Sequence, residues 1–256
     1  MDGSEVSIFL ELARYMLAFC LPVGILDRGA ALRGTKFLAN ASLRARFGNA
    51  RPFQMINVGA CDGVLFDDVT PWLHKIPNSR AVLVEPIPYN QKRLRKNYPD
   101  ENRFVIEPVA ITREKGSISA KTFDAKAIES GELPIEFVGC SSTTDTNLMS
   151  GKDAWGETDR NFAKFAPFLK EIEVPSERLQ TVLDRNGVDH IDAFLVDCEG
   201  ADWAVFDQLD LQRYRPGMVK IEVGALPATE IGQVVVKLKT AGYKVGIYAE
   251  DVWAFA

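Results

Sequence analysis

The chain has 256 residues and a net charge of −5, with 46% hydrophobic and 25% charged residues. That size and balance fit one soluble α/β domain with an extension, or at most two small domains. The acidic excess disfavours a large nucleic-acid footprint, which needs basic side chains gathered on one face. The four cysteines (20, 61, 140 and 198) show no C-x-x-C, and two histidines give no metal-ligand spacing, so no Cys/His metal site is expected and a reducing, cytoplasmic setting fits best.

Residues 6–26 are the most apolar run, but Glu11 and Arg14 interrupt it and Pro22 and Gly24 weaken its end. It lacks a basic start and a small-residue cleavage site, so no signal peptide is expected. The reading is a helix packed on the following domain or on a second subunit, with a helix lying on a membrane surface as the alternative. Residues 27–50 carry Arg28, Arg33, Lys36, Arg44 and Arg46 against Asp27 alone. They read as a solvated helix face that could also meet anionic lipid or a charged substrate. Residues 1–50 are thus expected to be a helical extension, a peripheral membrane contact or a homodimer surface, ahead of a main domain over 51–256.

From Arg51 onward strands and helices alternate, the pattern of βαβ units and a mostly parallel sheet. The first strand, 55–60, runs straight into Gly59-Ala60-Cys61-Asp62-Gly63. Glycines bracketing a strand-to-helix turn permit positive φ and close approach of a ligand, and ligands of such sheets sit beyond the carboxyl ends of the strands. The spacing is G-x-x-x-G, not the G-x-G-x-x-G of dinucleotide sites. It suits a nucleoside cofactor without phosphates and points to S-adenosylmethionine. Thr70-Pro71 reads as an N-cap with proline in the first turn, opening a helix through His74.

The second strand, 81–84, ends in Glu85-Pro86 and is followed by a helix through Asn90 to Asn97; the third strand, 103–107, runs into Pro108-Val109-Ala110. Gly116–Phe123 alternates as an extra strand would. Residues 124–171 fit no sheet pattern and are expected to form a cap-like insertion. Within it Ser141, Ser142, Thr143, Thr144 and Trp155 are plausible sugar contacts, and Phe162, Phe165 and Phe168 share one helical face and read as core. An extended segment over 173–179 and a short helix over 180–186, closed by Gly187, follow. The fourth strand, 191–196, ends in Asp197-Cys198-Glu199-Gly200, with a helix from Ala201 to Leu209. The fifth, 218–223, contains Glu222; a helix over 229–240 then leads into closing antiparallel strands at 244–248 and 252–255.

Glu85, Asp197 and Glu222 all fall at strand C-termini, with Glu199 close behind. A carboxylate ending the second strand, about 20 residues beyond the glycine turn, can accept hydrogen bonds from both hydroxyls of a ribose. Such a group could also merely cap a helix, but the glycine turn favours the ribose. His190 lies at the opposite end of its strand and reads as structural, and His74 as solvated or packed. Cys61 and Cys198, each just past a strand end, read as two reduced thiols rather than a redox switch.

Taken together, I-N-V-G-A-C-D-G, V-E-P, E-P-V-A-I, D-C-E-G-A-D and K-I-E-V resemble the FkbM family of S-adenosylmethionine-dependent methyltransferases, over residues 53–256. The departures are Cys61 where the family usually has asparagine or a small residue, and a helix delayed by residues 65–69. The resemblance implies a class I methyltransferase fold, Rossmann-like, with a mostly parallel seven-stranded sheet in the order 3-2-1-4-5-7-6 and helices on both faces, to which residues 1–50, outside the resemblance, add the N-terminal helical extension. Carried over by motif, Asn57, Gly59, Ala60, Asp62 and Gly63 surround the methionine moiety. Glu85 holds the ribose, Pro86 and Ile87 flank the adenine, Val109 and Ala110 close its other side, and Asp197 sits by the methionine amine or the acceptor. The implied reaction is O-methylation of a sugar, glycolipid or polyketide hydroxyl.

An alcohol is a poor nucleophile, so a general base helps the in-line displacement. Asp197 is the first candidate, Glu199 the second and Glu222 the third. No metal is favoured, with Mg²⁺ polarising a sugar diol as the alternative. The rival readings are an NAD(P)-dependent oxidoreductase, which lacks its third glycine and a Tyr-x-x-x-Lys pair here, and a non-catalytic nucleoside-binding module on the same fold. A protein-arginine or nucleic-acid methyltransferase is disfavoured by the acidic balance and by the missing Asp/Asn-Pro-Pro-Tyr/Phe motif.

Overall fold

The computed structural model describes residues 28–48, 51–144 and 163–256. The expectations for residues 6–26, Trp155 and Phe162 lie outside these. Period-2 alternation builds the main sheet: Ile56, Val58, Phe194, Val196, Val219 and Ile221 point to one face, and Met55, Ala193, Leu195 and Met218 to the other. The sheet joins β1 (Gln54–Val58), β2 (Arg80–Val84), β3 (Phe104–Glu107), β7 (Ala193–Val196), β8 (Met218–Glu222), β9 (Lys244–Tyr248) and β10 (Asp251–Phe255). Their order is β3-β2-β1-β7-β8-β10-β9, with β10 antiparallel to both neighbours. This is the seven-stranded order that the resemblance implies, with the reversed β10 inserted between β8 and the edge strand β9. β4 (Ala110–Ile111), β5 (Gly116–Phe123) and β6 (Leu169–Glu177) form a second, three-stranded sheet in the order β4-β6-β5. The extra strand expected at 116–123 thus pairs with β6, which begins at Leu169, so the expected insertion 124–171 gives way to sheet three residues early because Phe123, Thr122 and Lys121 pair with Leu169, Lys170 and Glu171.

Both faces are covered. On one side α4 (Leu179–Arg185), α5 (Asp202–Phe206) and α6 (Ala228–Thr240) bury Val182, Leu183, Val205, Phe206, Val234 and Leu238. On the other, α1 (Arg28–Phe47) and α2 (Pro88–Asn97) bury Leu38, Leu94 and neighbouring Tyr98 against Met55, Leu83 and Trp253. α1 sits tightly: a Cβ on Gly34 would lie 2.5 Å from the Trp253 ring, and Ser42 Oγ donates to Lys75 O at 2.8 Å. α3 (Ala125–Ser130) opens the insertion, capped by Asp124, whose side chain accepts from Lys126 N.

Two expected helices are corrected. Thr70 is not an N-cap. Asp67 Oδ1 accepts from the N–H groups of Val69 and Thr70, and Thr70 Oγ1 instead accepts from Asn57 Nδ2 at 2.8 Å. With those donors satisfied by an Asx turn, Thr70–His74 closes as one 3₁₀ turn. α5 also stops at Phe206, three residues short of the expected Leu209, because Gln208 N and Leu209 N bond three residues back, to Val205 and Phe206. As expected, His74 is packed, stacking on Tyr98 at 4.7 Å between centroids. His190, at the far end of β7, bonds Pro52 O.

The tightest point is where β1 leaves the sheet. Gly59 has φ 83°, and a Cβ there would lie 1.7 Å from the Asp197 carbonyl oxygen. We expect Gly59→Ala to abolish the cooperative unfolding transition seen by circular dichroism. Gly131→Ala meets nothing within 4 Å among the described residues at φ 78°, so it should cost only the left-handed strain of about 1–2 kcal/mol. Equal losses for the two variants would show that the Gly59 approach is not limiting.

Candidate active site

The carboxyl ends of β1, β2, β7 and β8 meet around the glycine turn. Val84 O at the end of β2 receives both Gly59 N and Ala60 N at 3.0 Å, and Asp197 N donates to Val58 O at 2.9 Å. The turn is then fixed by its own polar side chains. Asp62 is buried, accepting at Oδ1 from Val64 N and Leu65 N and at Oδ2 from Arg93 at 2.8 Å. Tyr98 donates to Gly63 O at 2.7 Å and Asn97 to Asp62 O at 2.8 Å. Asn57 spans to Asp67 and Thr70. Asn57 and Asp62 therefore shape the loop, while Gly59, Ala60 and Gly63 supply its backbone path. A chain of Asx turns stands where the sheet's first helix would begin.

Glu85 is 4% exposed, and its carboxylate accepts from Cys61 N at 2.8 Å and Ile87 N at 2.7 Å. Burial outweighs those bonds and lifts its pKa from 4.5 to about 7. Each oxygen keeps a further lone pair, so the group can still accept from a ligand's hydroxyls. Ile87 and Ala110 pack with Ala120 and Val174, and Val109 joins the main core beside Val84. Pro86 is half-buried above them.

The D-C-E-G-A-D segment closes on its own last residue. Asp202, fully buried, accepts from Cys198 N at 2.7 Å and Gly200 N at 3.0 Å. The loop so formed holds Glu199 at φ 49°. Cys61, Phe66 and Ala249 also have positive φ and also lie past strand ends at this edge. Left-handed backbone at non-glycine residues costs about 1–3 kcal/mol each and tends to gather at functional sites.

The loop brings four acids together. One carboxylate oxygen from each of Asp197, Asp202 and Glu222 lies within 4.8 Å of the others, a set that could hold a hard divalent cation. Asp197 is exposed at the end of β7, and desolvation by the surrounding protein, then Asp202 and Glu199, push its pKa well above the usual carboxylate range. Desolvation, then Asp202 and Glu250, raise Glu199 to about 7. Desolvation, then Asp202, Asp197 and Glu199, raise Glu222 to about 10. Glu222 Oε1 accepts from Gly224 N, while its buried Oε2 has no hydrogen-bond partner among the described residues. Burial likewise raises the Cys61 and Cys198 thiols, which keep their protons and donate to the carbonyls of Val138 and Val58.

Several members of this site were not singled out from the sequence. Asp202 is the buried partner of Asp197. Asp251 faces Glu222 across the β8–β10 ladder, a relation that only strand register reveals. Lys220, on the same face of β8 as Glu222, bridges Asp68 and Asp251 at 3.2 Å each. Burial alone would lower its pKa, but those two acids outweigh it and keep the ammonium charged.

The described start of the insertion is fastened to this edge. Val138 O takes Asn90 Nδ2 at 3.1 Å, and Ser142 Oγ donates to Glu199 O at 2.7 Å. The expectation of Ser142 as a sugar contact is corrected: Ser142 is buried and bonded to Glu199 O and Thr144, while half-buried Ser141 pairs with Thr122. The Ser142 hydroxyl is spent on tying the insertion to the β7 loop. Phe165 and Phe168 pack on the Phe123–Phe137 cluster as core.

Residues 57–245 match the family described as Methyltransferase FkbM domain. No curated protein matches. Among solved structures, Methyltransferase FkbM from Methylobacillus flagellatus KT aligns with a TM-score of 0.51 at 12% identity, over 99% of this chain and 59% of that one. An O-methyltransferase from Bacillus cereus in complex with SAH aligns at a TM-score of 0.41 and 11% identity, over 98% of this chain and 91% of that one.

Because the folded pKa values of Glu85, Glu199, Asp202, Asp251 and Glu222 all lie above their unfolded values, the folded state holds more protons. Their contribution to stability is full below the unfolded carboxyl range and is lost as pH rises, through about 6 for Asp202 and Asp251, about 7 for Glu85 and Glu199, and about 10 for Glu222. The ligand-free protein should therefore melt at lower temperature at pH 8.5 than at pH 5.5. Glu222→Gln should shrink that difference, and parallel melting curves for parent and variant would refute the assignment to Glu222.

Proposed function

The chain belongs to the FkbM methyltransferase-domain family, and from that premise we propose that it is an S-adenosylmethionine-dependent O-methyltransferase acting on a hydroxylated small molecule such as a saccharide. The observation that carries the reading is the arc of carboxylates, Glu85, Asp197, Glu199 and Glu222, placed around a glycine turn at the ends of adjacent parallel strands.

The donor set suits the cofactor. S-adenosylmethionine supplies an electrophilic methyl on a sulfonium, and its two positive charges suit an edge whose acids are too crowded to ionise together. Glu85 adds ribose hydroxyls to the lone pairs left by Cys61 N and Ile87 N. Pro86, Ile87, Val109 and Ala110 supply the apolar wall for the adenine, and Gly59, Ala60 and Gly63 leave room for the methionine. Asp197 faces the cationic end.

The base is best assigned to Glu199 rather than the first-ranked Asp197. A carboxylate near pKa 7 exists in quantity at neutral pH and is basic enough to take an acceptor hydroxyl's proton as its oxygen attacks the methyl. Its main chain, bonded at the carbonyl by Ser142 and bent at φ 49°, holds the side chain in one place. Glu222, at about 10, keeps its own proton and can donate a hydrogen bond to the acceptor.

A second reading keeps the same reaction and adds a divalent cation on Asp197, Asp202 and Glu222 that orients vicinal hydroxyls. The unpartnered Glu222 Oε2 favours it. The two separate by thermal shift. Mg²⁺ that raises the melting temperature at pH 7.5 and not in Glu222→Gln supports the cation, and no shift in the parent removes it.

Titration with S-adenosylhomocysteine tests the main reading. The parent should bind, and Glu85→Ala should bind about tenfold or more weakly, the cost of hydrogen bonds to a charged group. In labelled-methyl transfer to a panel of glycan and polyol acceptors, Glu199→Gln should cut kcat roughly a hundredfold or more while leaving S-adenosylhomocysteine affinity intact. A folded parent that binds no S-adenosylhomocysteine would return the choice to another nucleoside ligand or a non-catalytic module.

A further inference from the structure

The outer face of α1 is a second amphipathic surface that neither the sheet nor the site uses. Its inner face, with Ala30, Leu38 and Phe37, is spent on the sheet beside Phe53 and Trp253. Its outer side leaves Leu32 55%, Leu43 54% and Phe47 85% exposed. At 3.6 residues per turn, Leu32, Lys36, Leu43 and Phe47 fall within an arc of about 60°, opposite the buried stripe, with Arg46 on one flank and Arg33 and Arg44 on the other. The helix contains Arg28, Arg33, Lys36, Arg44 and Arg46 and no carboxylate, in a chain whose net charge is −5. An apolar ridge between basic flanks, on a helix already anchored by its other face, is the arrangement of a helix lying at a lipid–water interface. The run 6–26, whose sequence is the most apolar of the chain, leads directly into it. No helix among the described residues is long and apolar enough to cross a membrane.

We propose that the outer face of α1 docks the protein on an anionic lipid bilayer, with Leu32, Leu43 and Phe47 entering the headgroup boundary and Lys36, Arg44 and Arg46 meeting lipid phosphates. Charge complementarity selects this partner. A second copy of the chain would bring the same five cations against themselves, and an acid-free helix has nothing to pair them with. Long basic side chains also lay their stems along the apolar ridge while their charges reach the headgroups.

The test is sedimentation of the full-length protein with vesicles of phosphatidylcholine, alone or mixed with phosphatidylglycerol. The parent should bind the mixed vesicles, bind phosphatidylcholine poorly, and be released by salt. Arg44→Gln/Arg46→Gln should weaken binding about thirtyfold, two basic residues' worth of surface attraction. Leu43→Ser/Phe47→Ser should weaken it at least tenfold. All of these residues lie outside the methyl-transfer machinery, so unchanged S-adenosylhomocysteine titration would show the variants folded. Three results overturn the proposal. The parent does not bind anionic vesicles. Or the two double variants bind as the parent does, which would assign membrane contact to residues 6–26 alone. Or the parent is a dimer that Leu43→Ser/Phe47→Ser dissociates without any lipid binding.

Discussion

The approach of the β1 turn to the end of β7 sets everything else at the functional edge. A glycine at 59, with no Cβ, lets its Cα pass close against the Asp197 carbonyl. Because Val58 and Val84 carbonyls then accept from Asp197 and from the turn itself, the ends of β1, β2 and β7 are locked into one rigid rim. Backbone hydrogen bonds in that rim leave the side chains of Glu85, Asp197 and Glu199 projecting past the strands. A site built on strand ends is held more precisely than one built on free loops.

The rim concentrates negative charge, and the fold tolerates it unevenly. Glu85 is steadied by two backbone N–H groups, and Asp202 by two more. Glu222 has only one, and its pKa is pushed up to about 10. Lys220 offsets part of the charge, but it is drawn to Asp68 and Asp251 at the periphery. The result is an edge short of positive charge in the ligand-free protein. A cationic ligand would make good that shortage, which links the stability of this edge to its occupancy.

The two faces of the sheet have been put to different uses. The face under α4, α5 and α6 is a continuous apolar core. On the other face the apolar core gives way, toward the strand ends, to Asn57, Lys220 and Asp251, and the covering elements there are Asx turns and one 3₁₀ turn rather than a full helix. α1 fills the remaining apolar part of that face over Trp253. The insertion, pinned by Val138 and Ser142, comes from the far side, carried by the small second sheet.

How much of this could be read in advance follows from the range of each interaction. The main strands, the helices that cover one face and the glycine turn were legible because alternation, helical spacing and the demand for positive φ are properties of neighbouring residues. The motifs extended that to strand order and to the row of carboxylates. Three things were not legible. Thr70 looked like a cap because its sequence neighbours suit one, yet Asp67 had already taken the donors it would have satisfied. Ser142 looked available because serines usually are, yet its partner, the Glu199 carbonyl, lies 57 residues away. Asp202, Asp251 and Lys220 join the site only through a loop closing on itself and through antiparallel register. By itself the sequence determined which residues form the sheet and which acids end its strands. Only the tertiary structure decided which polar groups are already spent on one another, because that depends on contacts between segments that local pattern does not connect.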